Sequence, residues 1–254
     1  MKPEFDAVAQ FHREQEENIR AMTQDKNTKR IGRLFMDHMT DYKYGYYFTW
    51  MGRPIIQHPQ DIVALQEVIM EVQPDLIIET GIAHGGSLVL SASMLELLDI
   101  AAPLDNMRRE VVGIDIEIRP HNRAAIEAHP MYRKITMLEG SSTDAEIAAA
   151  VREIARQHKT IMVLLDSCHT AEHVLREMEL YGPLVSVHSY LVVYDTLVEF
   201  EDKPHTDRPW GKGNSPYTAV QEFLRTHDEF TVDEAIEQKI VVTSCPGGWL
   251  RREK

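Results

Sequence analysis

The sequence predicts an α/β fold: a mostly parallel sheet with an antiparallel C-terminal strand, helices on both faces and an N-terminal helical extension. Short apolar runs of strand length alternate with segments whose apolar residues recur at helical spacing, which is typical of βαβ units. The runs are almost continuously apolar, as in strands buried on both faces. Each run of the alternating core ends in a polar or acidic residue. The predicted strands are 76–79, 111–114, 135–138, 161–165 and 190–194, followed by a closing pair at 230–233 and 240–244.

Composition narrows the classes of protein that fit. The chain has 254 residues, of which 43% are hydrophobic, and a formal net charge of −13. This acidity argues against a nucleic-acid partner and against an anionic membrane surface. No stretch approaches the roughly 20 apolar residues of a membrane helix, and residues 1–20 lack the apolar run of a signal peptide. Cys168 and Cys245 form no CxxC pair, so we expect reduced thiols in a cytoplasmic protein.

The first sixty residues differ from the alternating core. Residues 4–22 carry apolar residues on one helical face and predict an amphipathic helix, whereas the polar and basic residues 23–30 predict a loop. Six aromatic residues crowd into 42–50, which is either a packing segment that covers the core or a lid beside a ligand. No linker is visible, so we expect 1–60 to be an extension of one cofactor-binding domain at 61–254.

The helices of the core follow from apolar spacing and capping residues. Asp61 suits the N-terminus of its helix, and Thr143 with Glu146 forms a capping-box signature. Residues 201–217 are rich in proline, glycine and charge and predict a loop. The predicted helices are 61–72, 87–98, 120–128, 144–157, 171–180 and 217–226.

The stretch 75–87 predicts a strand, a tight turn and the start of a helix, and ligands bind at such strand ends in α/β sheets. Glycines in the turn let the backbone come close to a ligand. Because position 83 is alanine, the dinucleotide fingerprint GxGxxG is not met. The spacing instead resembles the first motif of class I S-adenosylmethionine-dependent methyltransferases. The predicted cofactor contacts here are Glu79, Thr80, Gly81, Ala83, Gly85 and Ser87.

The next two strand ends extend the predicted cofactor site. Asp115 follows the second strand and could accept hydrogen bonds from both ribose hydroxyls of the cofactor. Ser141 and Ser142 follow the third strand and either line the adenine or only form a turn and a helix cap. An acidic residue in the position of Asp115 would serve NAD as well as S-adenosylmethionine, so these residues leave both cofactors open.

The segment from Asp166 to His169 resembles metal-dependent O-methyltransferases of the catechol O-methyltransferase type. That resemblance implies that Asp166 and Asp195 bind Mg²⁺ and that His169 takes the proton of the acceptor. Tyr194 stands where a second acidic or amide metal ligand is expected. A neutral phenol is a poor ligand for Mg²⁺, which prefers carboxylates and water. The other readings are that His169 only caps a helix and that Tyr194 contacts the acceptor.

Four blocks in order resemble the cephalosporin hydroxylase and rhamnosyl O-methyltransferase family: 47–61, 78–87, 113–116 and 165–169. The resemblance implies a Rossmann-like class I methyltransferase sheet with a Mg²⁺ site. It also implies an S-adenosylmethionine-dependent O-methyltransferase acting on a small-molecule hydroxyl, in particular on a sugar of a natural product. Two alternatives stay open: a cofactor-binding component of an oxygenation system in antibiotic biosynthesis, and an NAD-dependent oxidoreductase.

The acceptor is expected to lie under aromatic side chains. Tyr47 and Trp50 in the aromatic segment and Trp210 in the predicted loop 201–217 are the expected substrate contacts, since a rigid aromatic ring on a bendable loop suits a lid. We also expect a homo-oligomer whose contacts involve the N-terminal helix and the aromatic segment.

Overall fold

The strands form a seven-stranded sheet and a separate hairpin. A computed structural model of the protein describes residues 6–104, 108–201 and 207–254. The sheet has the order β5-β4-β3-β6-β7-β9-β8, and β9 runs in the direction opposite to the other six strands. The mostly parallel sheet with an antiparallel C-terminal strand is therefore confirmed. The strands are β1 (Phe48–Trp50), β2 (Arg53–Ile55), β3 (Leu76–Thr80), β4 (Glu110–Asp115), β5 (Ile135–Glu139), β6 (Ile161–Leu165), β7 (Tyr190–Val193), β8 (Phe230–Val232) and β9 (Trp249–Arg252).

The helices cover both faces of the sheet. They are α1 (Ala7–Gln24), α2 (Lys26–Thr40), α3 (Pro59–Val72), α4 (Gly86–Ala101), α5 (Pro120–Glu127), α6 (Ala145–Ala155), α7 (Ala171–Tyr181), α8 (Pro216–Phe223) and α9 (Glu234–Ile240). Short 3-10 turns lie at Tyr44–Tyr46, Pro130–Lys134, Gly182–Leu184 and Thr196–Phe200. Among the described residues, no helix is both long and apolar enough to cross a membrane.

Two apolar layers sandwich the sheet. Successive strand residues point to opposite faces, so Ile77 packs in the layer formed with α3, α4 and α5. Ile78 packs in the layer formed with α6, α7 and α8. The central strands β3 and β6 are buried along their whole length. Burial on both faces explains the continuous apolar runs and leaves the strand ends as the place for polar residues.

The predicted strand at 240–244 is wrong. The chain there leaves α9, and the last strand is β9. Asp233 caps α9 by accepting the Ala235 N–H at 3.1 Å. The buried Asp61 then accepts the backbone N–H of Ser244 at 2.8 Å and the hydroxyl of Thr243. The N–H of Ser244 therefore bonds a side chain and not a neighbouring strand. Strand pairing begins only at Trp249.

The predicted loop at 23–30 is also wrong, because Asp25 both ends α1 and caps α2. Its carboxylate accepts the Asn27 N–H at 2.9 Å and the Thr28 hydroxyl at 3.0 Å, which starts a new helix immediately. Two other predictions reach beyond the described residues: positions 4 and 5 of the first helix and positions 202–206 of the loop 201–217.

The hairpin of β1 and β2 packs against α4. Ile55 is 1% exposed and belongs to the core layer of α4. The Trp50 indole N–H donates to the Ser93 hydroxyl at 2.9 Å. In contrast, none of the residues of α1 is buried by the part of the chain that the structure describes. The residues before position 60 therefore fall into two groups. The hairpin packs against the core, whereas α1 contributes no buried residue.

Candidate active site

A cavity of about 580 Å³ opens at the carboxyl ends of β3, β6 and β7. One wall is the turn between β3 and α4, and the opposite wall is formed by the segments that follow β6 and β7. The 3-10 turn Tyr44–Tyr46 and the segment that contains Trp210 border it as well. This is the edge of the sheet at which the sequence predicts the cofactor.

Glycines shape the turn between β3 and α4. Gly81 has a φ of +91°, and a Cβ there would lie 1.9 Å from the carbonyl oxygen of Asp166. A Cβ at Gly86 would lie 2.2 Å from the carbonyl oxygen of Pro54. The turn is thus held between the loop after β6 and the strand β2, at a distance that only glycine permits.

Polar side chains brace the same turn. Asp115 Oδ2 accepts the N–H groups of Ile82 at 2.8 Å and Ala83 at 3.2 Å. The buried Asn122 donates to the Ala83 carbonyl at 2.8 Å, and Arg53 Nε donates to the His84 carbonyl at 3.0 Å. Sequence reasoning assigned no role to Asn122 or Arg53. Arg53 stands in the first block of the family resemblance, whereas nothing in the sequence marks Asn122.

Glu79 and Thr80 lie behind the turn. Both are buried, and within the described ranges neither side chain lines the cavity. The Glu79 carboxyl accepts from the hydroxyls of Ser87 and, at 3.5 Å, Ser91. Burial raises the pKa of Glu79 to about 7, and the two serine hydroxyls only partly oppose that rise. Ser87 itself lines the cavity, so the structure places it, Gly81 and Ala83 there and turns Glu79 toward α4.

Ser141 and Ser142 lie beyond the cavity walls. The Ser141 hydroxyl bonds that of Thr143 at 2.9 Å, and Ser142 Oγ lies 3.1 Å from His173 Nε2. Ser167 lines the cavity wall, and its hydroxyl lies 3.2 Å from the same nitrogen, His173 Nε2. Of the two predicted adenine contacts, Ser142 is therefore linked to the cavity through His173 and Ser167.

Asp166, His169 and Asp195 form a candidate metal centre. One donor atom from each lies within 4.8 Å of the other two, and His169 Nε2 is 3.3 Å from Asp195 Oδ2. Asp166 follows β6, and Asp195 follows β7 with a φ of +54°. Burial and the nearby carboxylate of Asp195 raise the pKa of Asp166 well above its usual value. A cation between these carboxylates would relieve their repulsion.

Tyr194 borders the cavity beside this centre. The residue is 2% exposed, and its hydroxyl is buried without a hydrogen-bond partner in the described part of the chain. Burial raises the pKa of Tyr194 well above its usual value, so the phenol stays neutral. An unpartnered hydroxyl in a buried wall is costly unless a ligand or water completes it.

Two of the three expected acceptor contacts do not lie at the cavity. Among the described residues, Tyr47 and Trp50 are absent from its walls. Tyr47 follows the 3-10 turn and donates to the Tyr42 carbonyl, whereas Trp50 in β1 is held against α4 by Ser93. Tyr44 and Tyr46 line the cavity in their place, although the alternating aromatic pattern alone did not distinguish these positions.

Trp210 does lie at the cavity, next to the candidate metal centre. Its ring contacts His169 edge to face, with 4.9 Å between the ring centroids. The guanidinium of Arg208 lies over the same indole, 5.2 Å from the centre of the ring. Trp210 thus contacts both the imidazole of His169 and a cation at the edge of the cavity.

Comparisons with known proteins match this chain to rhamnosyl O-methyltransferases. The family model described as rhamnosyl O-methyltransferase/CmcI matches residues 42–253. A rhamnosyl O-methyltransferase of Mycobacterium bovis is 33% identical over 212 residues, covering 80% of this chain and 78% of that protein. The rhamnosyl O-methyltransferase of Mycobacterium leprae is 31% identical over 207 residues, covering 81% and 83%.

Solved structures share the fold. An apo structure of CmcI has a TM-score of 0.56 and 16% identity, covering 82% of this chain and 77% of that one. A structure of CmcI described as holding Mg-SAM has the same TM-score and identity, covering 82% and 78%. At this identity the likeness concerns the arrangement of strands and helices.

Proposed function

The chain belongs to the rhamnosyl O-methyltransferase/CmcI family, and on that premise we propose that it transfers the methyl group of S-adenosylmethionine to a sugar hydroxyl. The proposed acceptor is a rhamnosyl group, or a closely related sugar, on a small natural product such as an antibiotic. The name of the curated relatives supports the sugar, and the family supports the class of reaction.

One observation carries the proposal: the glycine turn after β3 and the Asp166–His169–Asp195 cluster face the same cavity. Methyl transfer is an in-line displacement, so the methyl donor and the acceptor oxygen must be held side by side. A cavity of about 580 Å³ suits small molecules of this kind.

The turn suits the methionine end of the donor. Backbone at Gly81, Ala83 and Gly86 lines the cavity, and α4 begins at Gly86. A helix N-terminus favours a carboxylate, because its first N–H groups have no partner in the helix. Asp115 for the ribose and Ser141 with Ser142 for the adenine remain our assignments from the sequence.

The Asp166–His169–Asp195 cluster suits a divalent cation. Two carboxylates and an imidazole supply donor atoms at one point. Burial and, after it, the neighbouring carboxylate of Asp195 raise the pKa of Asp166, and a cation would remove the repulsion between the two carboxylates. When bound, such a cation lowers the pKa of a coordinated hydroxyl and fixes its oxygen. Trp210 and Tyr44 border the same space and would exclude water from the acceptor. His169, predicted as the base, has its Nε2 at the cluster and so could also be a metal ligand.

Methyl transfer is tested directly with methyl-labelled S-adenosylmethionine and a panel of rhamnosides and other glycosides. We expect label in an acceptor and Asp166→Asn to lower turnover by about 10²-fold or more, with S-adenosylhomocysteine binding retained. Asp144→Asn, an exposed aspartate outside the cavity, is the matched control. Absence of label in every acceptor would contradict the proposal.

Ligand binding separates the alternatives. S-adenosylhomocysteine at about 100 times its Kd should stabilise the protein by about 2.7 kcal/mol. Stabilisation by NAD instead would favour an oxidoreductase. Binding of S-adenosylhomocysteine without methyl transfer, together with stimulation of a partner oxygenase, would favour the cofactor-binding component of an oxygenation system.

Two further proposals concern the protein in the cell. We expect a homo-oligomer, supported by the exposed apolar residues Val8, Phe11, Ile31 and Leu34 on α1 and α2. Light scattering of the purified protein measures this. The cytoplasmic location stays a proposal from the sequence, and cell fractionation tests it.

A further inference from the structure

The candidate metal centre differs from an all-oxygen Mg²⁺ site at two positions. Tyr194 occupies the place at which the family resemblance implies a second acidic or amide ligand, and a phenol is a poor donor to Mg²⁺. His169 Nε2, in turn, is 3.3 Å from Asp195 Oδ2 and within reach of the same point as Asp166. A nitrogen donor thus accompanies only two carboxylates.

We propose that His169 is the third protein ligand of the metal, and that the site therefore prefers a transition metal such as Mn²⁺, Co²⁺ or Zn²⁺ to Mg²⁺. Imidazole is a common ligand of transition metals, whereas Mg²⁺ is bound by carboxylate, carbonyl and water oxygens. Tyr194 supplies no carboxylate oxygen at this position. The imidazole of His169 supplies the third donor atom instead. The inference rests on the cation site of the proposed function.

The surroundings hold His169 in this position. Trp210 packs edge to face against its ring, and the guanidinium of Arg208 lies over the Trp210 ring. The imidazole is 16% exposed, whereas Asp195 is 43% exposed. A ring fixed by packing loses little freedom when its nitrogen binds a metal, which favours a ligand role.

The unpartnered hydroxyl of Tyr194 is a second, independent sign of a ligand at this place. It is buried in the cavity wall beside Asp195, and no described residue bonds it. A metal-bound water or the acceptor hydroxyl could accept its hydrogen bond. Tyr194 would then contact what is bound at the metal without touching the metal.

The test measures metal binding to the full chain after metals are removed with EDTA. Calorimetric titrations with CoCl₂ and MgCl₂ give the ratio of the two affinities. In His169→Ala we expect Co²⁺ affinity to fall by about tenfold or more and Mg²⁺ affinity to change by less than about threefold. His84→Ala, which removes another histidine of the same cavity from outside the cluster, should leave the ratio unchanged.

Electron spin echo measurements on the protein loaded with Mn²⁺ give a second readout. Nitrogen coupling to Mn²⁺ should be present in the wild type and His84→Ala and absent in His169→Ala. Wild-type protein without that coupling, or an unchanged affinity ratio in His169→Ala, would overturn the inference and return His169 to the role of base. Metal binding with nitrogen coupling but no methyl transfer would refute the proposed function alone.

Tyr194→Glu adds the missing carboxylate and tests the same inference in the opposite direction. We expect Mg²⁺ to bind more tightly and the preference for Co²⁺ to shrink by about tenfold. Circular dichroism verifies that the variant is folded. A folded Tyr194→Glu protein with an unchanged preference would contradict the assignment, and if the variant does not fold, the His169→Ala titration decides.

Discussion

Glu79 is a buried acid whose protonation should set part of the pH dependence of stability. Burial raises its pKa to about 7 from 4.5, so the free energy of unfolding decreases as the pH rises from 4.5 to 7. The full decrease above that window is about 3 kcal/mol. Glu79→Gln keeps the shape and cannot ionise, so we expect this variant to be more stable than the wild type at pH 8.

Denaturant unfolding at pH 5 and pH 8 measures this effect. The stability gain of Glu79→Gln over the wild type should be larger by about 2–3 kcal/mol at pH 8 than at pH 5. Glu16→Gln changes an exposed glutamate of α1 and serves as the control. An equal gain at both values would show that Glu79 does not titrate in this window.

Single residues of the candidate site could be predicted where a strand end fixes them. Asp166 comes directly after β6 and Asp195 lies two residues after the end of β7, so their convergence follows from the parallel sheet. Tyr47 and Trp50 could not be placed in this way, because the tyrosines that line the cavity lie on the 3-10 turn Tyr44–Tyr46, whereas Trp50 belongs to the hairpin. The contact between Glu79 and Ser91 depends on how α4 packs, which no local pattern specifies.

At the level of elements, one buried ion cluster joins β3, β4 and the start of β6 at the edge opposite the cavity. His158 Nε2 lies 3.1 Å from Glu110, and its Nδ1 lies 3.7 Å from Asp75. Asp75 also accepts the backbone N–H groups of Lys159 and Thr160. Burial lowers the pKa of His158, but the interactions with the carboxylates of Asp75 and Glu110 outweigh burial and raise the pKa to about 9.

This cluster predicts a second pH window. Because the pKa of His158 is raised from 6.5, its stabilisation is complete below pH 6.5 and is lost as pH rises through 9. We expect His158→Gln to cost about 1–3 kcal/mol at pH 6 and clearly less at pH 9.5. His121→Gln alters an exposed histidine and is the control in chemical unfolding. A cost that does not change with pH would contradict the charged state of His158.

Elements were predictable where spacing and caps agree and were missed where a distant side chain decides. The five core strands follow from continuous apolar runs. The last strand does not, because Asp61 in α3 captures the backbone of Ser244 and delays pairing until Trp249. Likewise, Asp25 turns an apparently polar loop into the start of α2. Both outcomes depend on a carboxylate whose partners a local pattern does not reveal.

At the level of the whole molecule, the strand order places the functional groups. β3 and β6 are adjacent at the centre of the sheet, and β7 is next to β6. The glycine turn after β3, Asp166 after β6 and Asp195 after β7 therefore meet without any long loop. Tyr44 and Tyr46 of the N-terminal segment line the same cavity. Residues on both sides of position 60 thus build one site.

Two truncations test whether the chain divides at position 60. Removing residues 1–24 deletes α1, none of whose described residues is buried. Removing 1–60 also deletes the buried Ile55, the Trp50 bond to Ser93 and the Arg53 bond to the turn. Burial of one such aliphatic side chain is worth about 1.5–3 kcal/mol, and a typical domain has only about 5–15 kcal/mol in total.

We therefore expect the protein lacking 1–24 to melt within about 5 °C of the full chain and to bind S-adenosylhomocysteine. The protein lacking 1–60 should melt at least about 10 °C lower or fail to fold, and should lose that binding. Calorimetry measures melting and binding, and light scattering measures the number of subunits. A smaller number of subunits on loss of 1–24 alone would place the subunit contact on α1. Unchanged melting and binding without 1–60 would instead establish 61–254 as an independent domain. It would also show that Pro54 and Arg53 are not needed to hold the glycine turn.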